Sequence, residues 1–198
     1  MLMTNTVSLV AMRIRCLFVF LLVSGDVLAQ EEPSARHENS VIQEVQGVVI
    51  VATPRTPEQM AAFYEARGFP DTMLDIVKEQ CFITFRIRNA SRNIVWLDLA
   101  HWAFTGPRGE IERLDRNWWR LRWKEINAPM ASQSTFRWTL IPEQLDYRFD
   151  EVEGGNVTLV RTRDPFTLDA VFPTGADREG EAIRVRMSDL LCPDDTQL

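Results

Sequence analysis

The chain has 198 residues, with 28 acidic against 22 basic side chains, a net charge of −6 and 45% hydrophobic content. That acidic balance excludes a generic nucleic-acid binder, which needs a basic surface. The apolar content supports one ordinary core and excludes a wholly disordered polymer.

The first element is an export signal. Arg13 and Arg15 precede the apolar run CLFVFLLV, Cys16 to Val23, and VLA ends at Ala29 with small residues at the cleavage positions. The run is far shorter than the ~20 residues a membrane-spanning helix needs. Residues 1–29 therefore read as a cleaved signal peptide, residues 30–40 as a polar, flexible leader, and residues 41–198 as a single domain. The mature chain is expected to be periplasmic or secreted, without a transmembrane span. Removing residues 1–29 takes away Arg13, Arg15 and Asp26, which leaves 20 basic and 27 acidic residues and a net charge of −7. Cys16 leaves with the signal, so Cys81 and Cys192 are expected to pair as a disulfide in an oxidising compartment.

VQGVVIVAT reads as a strand apolar on both faces. Thr56, Pro57 and Gln59 then form a helix start of the capping-box kind, and Gly68 and Pro70 end that helix. Asp71 is placed to cap a second helix carrying Met73, Leu74, Val77 and Cys81 on one side. This helical insertion, residues 56–80, is expected to pack across an edge or end of the sheets.

From Phe82 the sequence turns to a period of two. FITFRIRN sets Ile83, Phe85 and Ile87 on one face and Thr84, Arg86 and Arg88 on the other. ASRN reads as a turn and IVWLDLAHWAF as the returning strand of a hairpin, with a phase change near Ala100 that a β-bulge would supply. TGPRGE is a further turn. RNWWRLRWK alternates Trp119, Leu121 and Trp123 with Trp118, Arg120, Arg122 and Lys124, which reads as a strand with one wet face. TFRWTLI is expected to bury Phe136, Trp138 and Leu140, EGGN to turn, and NVTLVRTR, FTLDAVF and IRVRM to follow as strands.

Such a series of short strands predicts a mainly β fold, an immunoglobulin-like antiparallel two-sheet sandwich with a short two-helix insertion; a closed barrel is the competing architecture. The stretch FRIRNASRNIVWLDL resembles the central hairpin of many bacterial immunoglobulin-like modules, where an apolar strand, an Asn/Ser turn and a second apolar strand pair. The resemblance is confined to that stretch and implies a fold alone.

Arginines two apart recur in four predicted strands: Arg86 with Arg88, Arg120 with Arg122, Arg161 with Arg163, and Arg184 with Arg186. Gathered in one sheet, with Lys124 and with Trp118 for stacking, they would make a cationic patch suited to carboxylate or phosphate groups. The competing reading is a set of solvated strand faces, balanced across strands by Asp98, Asp169, Glu110 or Glu112. The tryptophans between Trp96 and Trp138 offer a sugar-stacking platform or, where they keep step with leucines, a core.

His101 with Asp98 is the one combination on which a hydrolytic or metal-handling centre could be built, yet GxSxG is absent and a strand would set the two on opposite faces. The sequence thus predicts a non-catalytic binding or assembly module with no cofactor and no metal, whose partner is an envelope protein. Carbohydrate or polyanion binding, to an anionic glycan through the Trp/Arg face, is the alternative, and a metal-handling or hydrolytic protein centred on His101 is the third reading.

Overall fold

The computed structural model describes residues 40–147 and 151–194, all within one compact unit. The signal peptide expected in residues 1–29, and all but the last residue of the leader expected in 30–40, lie outside the described residues.

Strands β1 (Val41–Val45) and β2 (Val48–Arg55) form a hairpin. Its turn, Gln46 and Gly47, has φ of 51° and 82°, the left-handed pair that matches the twist of tight hairpins. VQGVVIVAT therefore holds a turn between two strands, which corrects the single strand read from its apolar run. Helix α1 (Pro57–Glu65) opens with the expected capping box, Gln59 N donating to Thr56 Oγ1 and Thr56 N to Gln59 Oε1, both at 3.2 Å. Helix α2 (Asp71–Lys78) buries Met73, Leu74, Ile76 and Val77, and Cys81 falls beyond it in β3 (Gln80–Asn89).

Two antiparallel sheets result. The first has the order β1-β2-β3-β8, with β8 at Val152–Val160. The second contains β4 (Val95–Asp98), β5 (Trp102–Gly106), β6 (Gly109–Glu110), β7 (Gln144–Tyr147), β9 (Phe166–Thr174) and β10 (Gly180–Leu190), ordered β6-β5-β9-β4-β7 with β10 also paired to β9. The mainly β, two-sheet sandwich expected from the sequence is the observed architecture. Ile83, Phe85 and Ile87 of β3 meet Phe166, Leu168, Ala170 and Phe172 of β9 and Ile183, Val185 and Met187 of β10 in the core between the sheets, as their alternation predicts. Cys81 and Cys192 are disulfide-bonded, which ties β3 to the segment after β10.

The structure corrects several elements. β3 and β4 lie in different sheets, so FRIRNASRNIVWLDL is a crossover between sheets and no hairpin. The phase change near Ala100 is made by a 3-10 turn, Leu99–His101, capped by Asp98, rather than by a bulge. EGGN runs inside β8. Most consequentially, RNWWRLRWK is helix α3 (Arg116–Glu125) and the larger part of TFRWTLI lies in helix α4 (Met130–Thr139), so among the described residues four α-helices stand where two were expected.

The physical reason is a shared spacing. Trp119 and Trp123, like Phe136 and Leu140, are four apart, a separation that keeps two residues on one face of a strand and equally on one face of a helix. The residues midway decide: a strand would bury Leu121 and Trp138, a helix exposes them, and they are 46% and 86% exposed. Asp115 caps α3 by accepting from Trp118 N at 2.7 Å, and Arg122 and Lys124 in its last turn complement the helix dipole.

The helices build a second apolar core on the outer face of the first sheet, where Phe82 of β3 joins Tyr64, Trp119, Trp123 and Phe136. Among the described residues no helix is long and apolar enough to cross a membrane.

Candidate functional site

Helix α3 is seated by a relay of hydrogen bonds. Trp119 Nε1 donates to Thr158 Oγ1 of β8 at 2.7 Å, and that hydroxyl donates to Leu114 O at 2.8 Å. Asn127, with φ of 52°, reverses the chain in the left-handed conformation asparagine tolerates, and Pro129 precedes the start of α4. Trp119 then packs against Trp123 and Phe136 at ring separations of 4.9 and 4.5 Å.

This packing leaves an open groove of about 510 Å³ between α3 and α4. Its apolar walls are Trp119, Trp123, Phe136, Leu140 and Met130. Its polar edges are Arg116, Asn117, Arg120, Gln133, Ser134 and Arg137, and no acidic side chain lines it. Among the described residues, Arg120 donates only to Asn117, at 2.8 Å, and Arg137 makes no ion pair. Two donors on groove-lining residues, Trp123 Nε1 and Arg116 Nε, are buried without an acceptor among the described residues, an arrangement that costs free energy until an acceptor is supplied. The setting is unusual for the chain: residues 116–139 hold five cations and one acid, a net of +4 in a protein of net −6, so the remaining residues carry −10.

The four arginine pairs are dispersed rather than gathered in one sheet. Arg120 and Arg122 are on α3, where only Arg120 lines the groove and Arg122 pairs with Glu125 at 2.9 Å. Arg86 and Arg88 lie on the exposed outer face of β3, farther along from Phe82. Arg184 and Arg186 are on the outer side of β10, and Arg186 faces Asp169 at 3.6 Å, a cross-strand partner of the expected kind.

Arg161 and Arg163 fall in the loop after β8. The Arg161 guanidinium donates to Pro193 O and Gln80 O at 3.1 Å and meets Asp194 at 3.3 Å. Burial lowers its pKa from the ordinary value, while Asp194 opposes the shift. Trp118 is half-buried and edge-on to Trp119 at 4.9 Å, while Lys124 is exposed. Sequence reasoning missed Arg116 and Arg137, the other two cations of the groove: Arg116 shares its parity with Arg120 but is no member of an arginine pair two apart, and Arg137 falls in TFRWTLI, a separate predicted strand that nothing in the sequence places beside RNWWRLRWK.

His101 and Asp98, expected on opposite faces, are brought together by the 3-10 turn, with His101 Nδ1 3.3 Å from Asp98 Oδ2. The buried carboxylate also accepts from Ala100 N at 3.2 Å and Gln144 Nε2 at 3.0 Å and meets Arg178 at 3.4 Å. These bonds set the carboxylate as the cap and anchor of the turn. Among the described residues no His, Cys, Asp and Glu cluster of three or more is positioned to hold a metal ion.

No protein-family model and no curated protein matches the chain. Among solved structures the chain is similar to a Bacillus subtilis protein described as a "putative lipoprotein", at 8% identity and a TM-score of 0.40, over 75% of this chain and 38% of that one.

Proposed function

We propose that this chain is a non-catalytic, extracytoplasmic binding module that holds an anionic partner in the groove between α3 and α4. The carrying observation is three arginines, Arg116, Arg120 and Arg137, around an aromatic groove with no acid in its lining. Guanidinium groups present planar forks of donors that suit carboxylate, sulfate and phosphate groups. Above apolar walls their field is less screened than in open water, so it draws anions to one place on an otherwise acidic protein. The extracytoplasmic setting is supported by the Cys81–Cys192 disulfide and by the export signal read in residues 1–29.

The reading is tested with soluble polyanions, polygalacturonate and heparin, in a titration followed by tryptophan fluorescence. Binding is expected to weaken as salt is raised, and Arg120→Glu combined with Arg137→Glu is expected to weaken it at least ten-fold while leaving circular dichroism and the thermal midpoint unchanged. A double variant that binds like the parent would sink the assignment of the groove.

A further inference from the structure

Resting on the anion-binding reading, we propose that the anionic partner is a lipid bilayer and that the α3–α4 pair docks in its headgroup layer. The observation that carries this is apolar exposure beside the arginines. Trp138 is 86%, Met130 78% and Leu121 46% exposed. Met130, Ser134 and Trp138 follow one another at intervals of four and so form one stripe of α4, and the first two line the groove. Leu121 follows groove-lining Asn117 by the same interval on α3.

A site for a soluble polyanion needs the cations and has a use for a stacking tryptophan, but gives no reason to hold a methionine and a leucine in water beside it. A bilayer surface accounts for both halves. Interfacial helices carry Trp and Leu beside Arg and Lys, setting the apolar side chains at the boundary of headgroups and acyl chains and the cations against phosphates. The charge distribution fits the same partner, because the α3–α4 segment, residues 116–139, is net +4 while the remaining residues carry −10, which orients that segment toward an anionic surface and turns the rest away. In the docked state the three arginines contact lipid phosphates and Trp138 lies at headgroup depth.

The test uses the chain recovered after export, its N-terminus established by mass spectrometry, in co-sedimentation with phosphatidylcholine vesicles with and without phosphatidylglycerol. Binding is expected only with phosphatidylglycerol, with a blue-shifted tryptophan emission that Trp138→Ala largely removes. Arg120→Gln with Arg137→Gln should weaken binding roughly 25-fold, about five-fold for each cation lost from an anionic surface.

Equal binding to neutral vesicles, or binding indifferent to these substitutions, overturns the proposal. Capture of polygalacturonate without capture of vesicles overturns the lipid assignment and leaves the anion-binding groove standing. Binding to neither overturns both.

Discussion

Tyr64 shows how a single polar group is accommodated under the helices. Its ring is fully buried, 4.8 Å from that of Phe69 and 5.2 Å from that of Phe136. Its hydroxyl is 2.7 Å from Thr139 Oγ1, and because Thr139 Oγ1 itself donates to Phe136 O, the tyrosine is the donor. One phenol thus fastens α1 to the last turn of α4. Burial raises the pKa of this phenol above its ordinary value, against weaker opposing contributions from Thr139 and Asn156. The contribution of a group whose folded pKa is raised is complete below its unfolded pKa, about 10 for tyrosine, and is lost as pH rises toward the folded value. Tyr64→Phe is therefore expected to cost about 1 kcal/mol at neutral pH, the typical net value of one hydrogen bond. Urea unfolding across pH should show the parent losing stability above about pH 10 more steeply than the variant. Equal slopes would mean that the hydroxyl is not held neutral in the folded protein.

At the scale of elements, the passage from α4 into β7 depends on a glycine. Leu140 belongs to the helical core and the next residue, Ile141, to the core between the sheets. To make that transition the backbone crosses β8, where Ile141 N donates to Asn156 O at 3.1 Å. A Cβ on Gly155 would stand 2.6 Å from Ile141 N and 2.8 Å from its Cα, and neither backbone atom can yield alone. Gly155→Ala is expected to cost about 3 kcal/mol, the upper end for overpacking, and to speed hydrogen exchange at the Ile141 amide. Gly154→Ala, whose Cβ would meet only Phe85 O at 3.3 Å, should cost less. A Gly155→Ala variant as stable as the parent would mean that the two segments do not approach so closely.

The same region marks where sequence reading worked and where it stopped. Strands such as FTLDAVF and IRVRM were legible because five or more residues alternate without exception between core and solvent. The groove was not legible, since its apolar walls rest on pairs four apart, Trp119 with Trp123 and Phe136 with Leu140, a spacing two periods share. Asp115 before the cationic run, and Asn127 with Pro129 after it, are the cap and stop signals that favour helices. In EGGN, two adjacent glycines indicated a turn, whereas here the second makes room for a crossing chain.

Across the whole molecule, the long-range closure was readable while the sheet order was not. Two cysteines left after the expected signal peptide have one pairing, whereas alternation along a strand names its buried face without naming its neighbours. The Cys81–Cys192 bond closes a separation of 111 residues with its sulfurs in the core between the sheets. Arg161 reinforces the same junction without a covalent bond: Gln80 and Pro193, whose carbonyls it holds, are immediate neighbours of the two cysteines. The disulfide and the guanidinium therefore act on one closure by different means. The covalent link restricts the unfolded chain, while the hydrogen bonds favour the folded one. In the chain-entropy account a loop of this length contributes about 4–5 kcal/mol, so Cys81→Ala with Cys192→Ala is expected to lower the thermal midpoint by roughly 10–15 °C. Because Arg161 still binds the start of β3 and the segment after β10, the variant should remain folded at ambient temperature. Adding Arg161→Ala should cost more in that background than in the parent, since a chain freed of its crosslink relies on the guanidinium to order the segment after β10. Calorimetry of the four proteins, parent, double-cysteine variant, Arg161→Ala and their combination, measures the coupling directly. Strictly additive losses would show that the two devices hold the junction independently.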